Sequence, residues 1–280
     1  MHYDLHLHSN ASDGALAPTE LIQLCASESI EYLAITDHDT CRGYAEAQAA
    51  ATQVGIHLFA GIEFTCLWKD RVIHVLGLGL DLTVPALQQY MDELVDLRME
   101  RAERIANKLI KKGLPADLLA RVLAKAGEGQ VGRPHFASVL VELGVVDSEQ
   151  AAFEKYLGQS RPGHVKVLWP DLARTLELIQ QLKGFSIIAH PTKYRFTFTK
   201  LRALVDDFIQ LGGQGVEVSY PGLNPDQGKE LQRLAAQKNL LLSAGSDFHS
   251  KQSAWSYPGR FPSLEMSDQH VLMHLIEAAA

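Results

Sequence analysis

The first strand-like run of the sequence ends in two histidines whose spacing suits a shared metal ion. Tyr3, Leu5 and Leu7 alternate with polar residues, so the period of two in a strand puts His6 and His8 on one face. Imidazole nitrogens are common ligands of transition metals. The pair therefore predicts a metal site at the end of this strand, with two surface histidines as the alternative while it is taken alone.

Further metal-binding side chains follow other apolar runs of the chain. The candidate ligands are His6, His8, Asp13, His38, Glu63, His74, His190, Asp247 and His249. Each lies at or near the predicted C-terminal end of a strand, and in a βα barrel those ends meet on one face, where active sites form. A buried structural histidine remains the alternative for His74 and for His190. The set exceeds the roughly three protein ligands of one catalytic zinc ion, which predicts about two or three divalent ions.

The types of ligand indicate both the metal and the reaction. Imidazoles and carboxylates without a thiolate suit manganese, iron or zinc better than calcium or an all-oxygen magnesium site, and of these three we take manganese as the first choice. Divalent ions held close together generate hydroxide near neutral pH and bind both the attacking and the leaving oxygen of an in-line displacement. The expected chemistry is therefore hydrolysis of a phosphoric ester by a metal-bridged hydroxide.

Charge and cysteine content exclude other classes of protein. With 26 basic and 33 acidic residues and a net charge of -7, the chain is not expected to coat nucleic acid or to bind double-stranded DNA. Cys25, Cys41 and Cys66 lack C-x-x-C spacing, which argues against a disulfide framework and a cysteine zinc site. The sequence has no recognisable signal peptide and no apolar run of about 18 residues. We expect a cytoplasmic protein without membrane contact or an obligate protein partner.

The elements that must position these side chains alternate between strands and helices. Strands are predicted at 3–7, 32–35, 58–62, 72–78, 186–189, 215–218 and 240–244, and helices at 18–27, 43–54, 199–211, 225–238 and 267–279. Such alternation is typical of βα units around a parallel sheet. About seven strands are enough to close a barrel.

The alternation breaks in the segment 81–165. Apolar residues there recur at helical spacing, first in one long amphipathic helix at 87–110 and then at 117–126, 134–143 and 148–157. We therefore expect two parts. Residues 1–80 and 166–280 would form a barrel with the metal site, and residues 81–165 a small helical insertion that caps the substrate.

The ordered set of motifs resembles one known group, the PHP (polymerase and histidinol phosphatase) superfamily. The matching segments span nearly the whole chain and are His6-Leu7-His8, Ser12-Asp13-Gly14, Thr36-Asp37-His38-Asp39, Gly61-Ile62-Glu63, His74, Ala189-His190-Pro191 and Gly245-Ser246-Asp247-Phe248-His249. The resemblance implies an α/β fold, a distorted (β/α)7 TIM-like barrel with three metals at the C-terminal ends of the strands.

The same resemblance assigns the candidate ligands to three ions by position. The first would take His6, His8, Glu63 and Asp247, the second Glu63 as a bridge with His74 and His190, and the third Asp13, His38 and His249. Every metal position of the family pattern then has its ligands in this sequence.

Within the superfamily, the insertion resembles that of the branch with TrpH/YciV-type proteins. The similar segments are Gly132-Arg133-Pro134-His135-Phe136-Ala137, Lys155-Tyr156-Leu157 and Pro162-Gly163-His164-Val165. That branch is associated with 3',5'-nucleoside bisphosphate phosphatase activity and, in some members, with 5'-to-3' exoribonuclease activity on short RNA. The resemblance thus implies a small nucleotide or a short RNA as the substrate.

The start of the helix at Pro134 is a candidate phosphate site. Pro134 favours a first helical turn, which leaves Arg133 at the N-terminus and His135 just inside. A helix N-terminus beside an arginine binds anions well. We expect Arg133 and His135 to hold a second phosphate of the substrate, with Lys193 and Arg195 as further anion contacts. Pairing of Arg133 within the insertion, and solvent exposure of Lys193 and Arg195, are the alternatives.

Four aromatic residues lie near the predicted rim of the site: Tyr194, Phe196, Tyr220 and Trp255. Aromatic rings can stack on nucleic-acid bases, but each of these residues is also a candidate for ordinary packing. No single one is therefore assigned a role.

Together these features predict a metal-dependent phosphoesterase. Asp37 or His249 is expected to move a proton, with other groups or bulk water as the alternatives, and Arg133 is expected to neutralise charge on the phosphate oxygens. A histidinol-phosphate or other phosphomonoesterase, which has no need of Arg133, is one alternative. An amidohydrolase is another, although no lysine that could be carbamylated stands at a strand end. Outside the enzymes, the alternative is a regulatory or polymerase-associated module with a structural metal site.

Overall fold

All seven predicted strands are present in the computed structural model, which describes residues 1–166, 168–251 and 256–279. They form one sheet in sequence order: β1 Tyr3–Leu7, β2 Tyr32–Ile35, β3 His57–Trp68, β4 Arg71–Leu78, β5 Phe185–Ile188, β6 Gly215–Ser219 and β7 Leu241–Ala244. The first two strands have the predicted bounds, and every residue in them except the half-buried Tyr32 is buried.

The sheet curls until β7 meets β1, which makes a nearly closed barrel. The amide of Asp247 donates to the carbonyl of His6 (2.8 Å), and the amide of His8 donates to the carbonyl of Phe248 (3.0 Å). These bonds join the two strands where both of them end. The expected distorted seven-stranded barrel is confirmed, and the seam that closes it carries three of the candidate metal ligands.

The expectation of a parallel sheet is wrong at β4. β1, β2 and β3 are parallel, as are β5, β6 and β7, but β4 runs antiparallel to both of its neighbours. Lys69 and Asp70 alone join β3 to β4, and so short a connection makes a hairpin, since a parallel crossover needs a dozen or more residues. The hairpin extends past the end of β2. Glu63 and His74 therefore lie in mid-strand, and not at strand ends as the sequence suggested.

Helices cover the outside of the barrel and form the insertion. They are α1 Pro18–Ser27, α2 Tyr44–Val54, α3 Pro85–Ile110, α4 Leu118–Ala126, α5 Arg133–Glu142, α6 Glu149–Ala152 with a π-helical turn at Phe153–Leu157, α7 Leu172–Gln181, a 3-10 turn at Pro191–Tyr194, α8 Phe198–Gln210, α9 Pro225–Lys238 and α10 Val271–Ala279. None of those in the described ranges has the length and apolarity needed to cross a membrane.

One helix, α7, was missed in the sequence. Asp171 caps it, since its carboxylate accepts a hydrogen bond from the amide of Arg174 (2.8 Å), and Leu172, Leu176 and Ile179 are buried on one face. An acidic cap before an amphipathic run was the signal for it. α10 begins at Val271, four residues later than the start at 267 that was predicted.

The insertion helices α3 to α6 share a core with the barrel. Phe64 of β3 packs edge-on against Tyr90 of α3, with ring centroids 5.8 Å apart. Farther along α3, Arg98 makes a buried ion pair with Asp39 at the barrel rim, through both Nε (2.9 Å) and Nη2. Its Nη2 also donates to Oγ1 of Thr65 (3.1 Å). These contacts hold the insertion against the face that carries the candidate ligands, while the division at residues 80 and 165 stays a prediction.

Candidate metal centre and substrate cavity

Four candidate donor atoms meet at the seam of the barrel. His6 Nε2 and His8 Nε2 are 3.2 Å apart. They lie 3.3 Å and 3.2 Å from Glu63 Oε2, and 3.5 Å and 3.3 Å from Asp247 Oδ1. A tetrahedral ion with ligand bonds of about 2.1 Å separates its ligand atoms by about 3.4 Å. The spacing of these four residues therefore fits one divalent ion.

Several atoms at this position lack a hydrogen-bond partner within the described chain. Glu63 Oε2 is buried and makes no hydrogen bond to any described residue, although three imidazole nitrogens lie within 3.3 Å of it. His38 Nδ1, 3.1 Å from this oxygen, is likewise buried and without a hydrogen-bond partner among the described residues. Buried polar atoms without partners are costly. Cations shared by these side chains would satisfy them, which supports a metal centre here.

A second group of ligands surrounds the other oxygen of Glu63. Oε1 lies 2.9 Å from His74 Nδ1 and 2.9 Å from His190 Nε2. His74 reaches Glu63 because β4 opposes β3 with Thr65 beside His74, so that both side chains project from the same face of the hairpin. The hairpin is thus what brings a mid-strand histidine to the metal centre.

A third group forms around Asp13. Its oxygens lie 3.3 Å from His249 Nε2, 3.8 Å from His38 Nε2 and 3.9 Å from His8 Nδ1. The donor atoms of His38, Glu63 and His74 also lie within 4.8 Å of one another, so His38 stands between the second and third groups. All of the predicted ligands come together, and their division among particular ions stays a prediction.

The surroundings keep the candidate carboxylate ligands ionised. Burial alone would raise the pKa of Glu63, but the imidazoles around it, led by His38 and His74, hold that pKa well below its usual range. Burial likewise opposes ionisation of Asp247, and the ammonium of Lys193, which pairs with it, leads the groups that hold its pKa well below the usual range. An ionised carboxylate is the form that binds a divalent cation.

Two buried carboxylates that sequence reasoning missed hold the ligands in place. Glu217 of β6 accepts a hydrogen bond from His6 Nδ1 (3.0 Å) and another from the amide of His190 (2.6 Å). Asp4 accepts from the amides of His6 (3.2 Å) and Ser246 (2.9 Å). A carboxylate that accepts a hydrogen bond from the ring nitrogen not bound to metal fixes the orientation of a metal-binding histidine. An acid inside the otherwise apolar strand β6 was the signal for Glu217.

The ligands open into a cavity of about 560 Å³. Asp13, His38, His74 and His249 are among the residues that line it. Three arginines of the insertion line it as well: Arg98 and Arg101 on α3, and Arg133 on α5. The metal centre and a group of cations therefore share one cavity.

The three arginines are here called the arginine wall, and two of them, Arg101 and Arg133, have no ion pair among the described residues. Arg98 is paired with Asp39, but Nε of Arg101 is buried and has no hydrogen-bond partner in the described parts of the chain. Burial, followed by the charges of Arg133 and Arg98, lowers the pKa of Arg101 well below its usual range. Arg98 and Arg101 both stand over the ring of Trp169, 5.5 and 5.6 Å from its centroid. An anion in the cavity would relieve this repulsion.

The four residues predicted to bind substrate phosphates differ in whether they face the cavity, another part of the chain or solvent. Arg133 lines the cavity, and among the described residues its Nη1 makes one long hydrogen bond, to the carbonyl of Leu157 (3.5 Å). His135 is turned back to the helix start, where its Nδ1 accepts from the amide of Gly132 (3.0 Å). Lys193 is paired with Asp247 beside the metal centre, and Arg195 is exposed.

The two residues predicted to move a proton, Asp37 and His249, both have polar partners in the structure. The carboxylate of Asp37 is buried and accepts hydrogen bonds from the amide and Oγ of Ser9 (2.8 and 2.6 Å) and from Oγ of Ser12 (2.6 Å). It thereby fixes the loop that carries Asp13. His249 lies in the cavity wall, with Nδ1 at 3.0 Å from the carbonyl of Asp247 and Nε2 facing Asp13.

The aromatic candidates divide by exposure. Tyr194 and Phe196 line the cavity. Tyr220 is buried and bonds Thr192 through its hydroxyl (2.8 Å), which is a packing role. Trp255 lies outside the described residues.

Comparison with known proteins places this arrangement in a family. The model of the PHP domain matches residues 4–76. A 5'-3' exoribonuclease of Haemophilus influenzae is 42% identical over 88% of this chain and 89% of that protein. The chain belongs to the PHP family.

Other relatives match this PHP protein over almost its whole length. A 3',5'-nucleoside bisphosphate phosphatase of Chromobacterium violaceum is 36% identical, across 88% of this chain and 87% of that protein. The solved structure of an amidohydrolase from Chromobacterium violaceum, with bound sulfate, superposes with a TM-score of 0.92 at 33% identity, over 99% of this chain and 96% of that one. The insertion is therefore shared with these relatives, and the predicted family and branch are confirmed.

Proposed function

We propose that this PHP protein is a metal-dependent phosphoesterase that hydrolyses 3',5'-nucleoside bisphosphates and trims short 5'-phosphorylated RNA from the 5' end. The observation that carries the proposal is the arginine wall beside the metal centre in one cavity. Two anionic groups of one substrate can then be bound at once, one by the metal centre and the other by arginines. The relatives named for these two activities, and the sulfate in the similar solved structure, agree with it.

The ligand residues supply the chemistry through what they hold. Divalent ions, with manganese as our first choice over iron and zinc, would make a water molecule nucleophilic near neutral pH and neutralise charge on phosphate oxygens. Glu63, between two groups of imidazoles, would keep neighbouring ions at a fixed separation. The phosphate that is cleaved lies at these residues, and the 5'-phosphate lies at Arg101 and Arg133, which orient the substrate.

Proton transfer is assigned to water in this proposal. The two ring nitrogens of His249 contact the carbonyl of Asp247 and the carboxylate of Asp13. The carboxylate of Asp37 accepts hydrogen bonds from the hydroxyls of Ser9 and Ser12. The leaving oxygen can take its proton from water in the cavity. We therefore retain His249 as a metal ligand and give Asp37 the role of positioning Asp13.

The arginine wall also separates the proposal from its alternatives. A simple phosphomonoester such as histidinol phosphate, or an uncharged amide, has no second anion to pair with it.

The three cysteines of the chain are free thiols, which fits the cytoplasmic location that we propose.

A product assay by mass spectrometry tests the function. Metal-stripped protein reloaded with manganese is given adenosine 3',5'-bisphosphate, a short 5'-phosphorylated RNA and histidinol phosphate together, with Asp247→Ala as the control. We expect AMP, and mononucleotides from the 5' end of the RNA, in the wild-type reaction only. Histidinol as the sole product would move the protein to the monoesterase alternative, and no product at all would favour a structural metal site.

A further inference from the structure

A second group of cations surrounds an aromatic ring at the edge of the cavity. Phe196 lines the cavity, with Lys200 Nζ at 4.8 Å and Arg71 Cζ at 5.7 Å from its ring centroid. Phe196 is partly exposed, and the neighbouring side chain of Val72 is 46% exposed and lines the same cavity. Arg71, Phe196 and Lys200 are called the outer patch below. It lies where the cavity meets solvent.

The outer patch belongs to the barrel and not to the insertion. Arg71 begins β4 at the tip of the β3–β4 hairpin, Phe196 follows the 3-10 turn after β5, and Lys200 is in the first turn of α8. The arginine wall comes from α3 and α5. The cavity thus has two sets of cations on separate elements, with the metal ligands of the barrel lining it too.

The charges of the outer patch are free to meet an anion. Nearby, Lys69 is paired with Asp207 (3.2 Å), which also accepts from Nε1 of the buried Trp68 (2.7 Å). Arg71 and Lys200 have no ion pair among the residues that the structure describes. An aromatic ring flanked by unpaired cations is the combination that binds single-stranded nucleic acid, because the ring stacks on bases and the cations meet phosphates.

We propose that the outer patch binds the nucleotides that follow the scissile phosphate in single-stranded RNA. The inference rests on the proposed function, in which the arginine wall holds the 5'-phosphate and the metal centre holds the next phosphate. A nucleoside bisphosphate ends there, whereas an RNA continues toward solvent. Phe196 then stacks on a downstream base, and Arg71 and Lys200 meet the downstream phosphates. The patch is what makes RNA, and not only the bisphosphate, a substrate.

The test compares two activities of each variant. We would measure kcat/KM for adenosine 3',5'-bisphosphate and for 5'-phosphorylated oligoadenylates of increasing length, in wild type, Arg71→Ala, Phe196→Leu and Lys200→Ala. Arg202→Ala is the matched control, because Arg202 lies on α8 near Lys200 but is paired with Glu230 (2.9 Å). We expect the ratio of RNA to bisphosphate activity to fall about tenfold in Phe196→Leu, and by less in each cation variant. Equal changes in both activities, or ratios no lower than that of Arg202→Ala, would overturn the inference.

A binding measurement separates this inference from the proposed function. Fluorescence anisotropy of a 3'-labelled, phosphorothioate-linked oligoadenylate reports RNA binding by the full chain without turnover. Weaker binding in the three patch variants, with Arg202→Ala like wild type, supports the outer patch even if neither substrate is hydrolysed. If all three patch variants bind the oligoadenylate as tightly as wild type, the inference is wrong, even where both substrates are cleaved.

Discussion

The cavity has two walls of opposite character, the metal-binding wall of the barrel and the arginine wall of the insertion. On the barrel side, a buried carboxylate positions some of the ligands, as Glu217 positions His6 and Asp37 fixes the loop of Asp13. On the insertion side, Nε of Arg101 has no partner within the described chain and Arg133 makes one long hydrogen bond. The difference indicates that the reacting groups are held in place before substrate arrives, whereas the arginines are satisfied only by it.

Arg98 is the exception on the insertion side. Its guanidinium is buried against Asp39 and Thr65, so it joins the two walls as well as lining the cavity. Removal of one partner of a buried ion pair leaves an uncompensated charge and is strongly destabilising. Arg101, which lacks such a pair, is therefore the better residue for testing the arginine wall alone.

The largest effect should come from the barrel wall itself. Glu63→Ala removes the carboxylate shared by two ligand groups, and Asp247→Ala removes one of the four atoms at the seam. We expect phosphoesterase activity to fall on the order of 10³-fold or more in either variant, because the metal centre loses a ligand. Far-UV circular dichroism should show that both variants keep the fold. Full turnover in either one would contradict the assignment of these ligands.

A smaller loss of activity is expected when a residue that positions a metal ligand is changed. Glu217→Gln keeps the shape of the side chain but weakens the hold on His6, so metal affinity should fall about 10- to 100-fold. Competition with a chelator measures this directly, and excess metal should restore much of the activity. Glu230→Gln, an exposed change, is the control. If Glu217→Gln binds metal as tightly as wild type, Glu217 does not position His6.

The arginine wall should act on substrate choice. Arg101→Ala is expected to lower kcat/KM for adenosine 3',5'-bisphosphate about tenfold, since a charge-assisted hydrogen bond to the 5'-phosphate is lost. The loss for a monoester without a second phosphate should be clearly smaller. Arg104→Ala, one turn along α3 and paired with Glu100, serves as the control. If kcat/KM falls equally for the bisphosphate and for the monoester, the arginine wall does not bind the second phosphate.

The smallest effect on activity should come from the opposite end of the barrel. There His270 is buried with Nε2 at 2.8 Å from the hydroxyl of Tyr3, and burial lowers the pKa of His270 to about 4. Because the unfolded chain binds this proton more readily, with a pKa of about 6.5, the folded state loses stability as pH falls from about 6.5 toward 4. Replacement of His270 by Gln should flatten the dependence of Tm on pH in that window and leave hydrolysis at neutral pH near wild type.

The control for this stability measurement is His274→Gln, a change one turn along α10. His274 is less buried and bonds the carbonyl of Asp268. Its replacement should leave the pH dependence of Tm as in wild type. A His270→Gln protein with the wild-type pH profile would show that His270 is not the group that titrates.

The sequence by itself determined most of the strands and the set of candidate ligands. The period of two in β1 placed His6 and His8 on one face, and short apolar runs marked the other strands, because both signals depend only on neighbouring residues. Tertiary structure decided the rest. The direction of β4 brought His74 to Glu63, the buried position of Glu217 made it a partner of His6, and Arg98 and Arg101 reached the cavity only because α3 packs against the hairpin. These relations join residues that are far apart in the chain, so no local pattern records them.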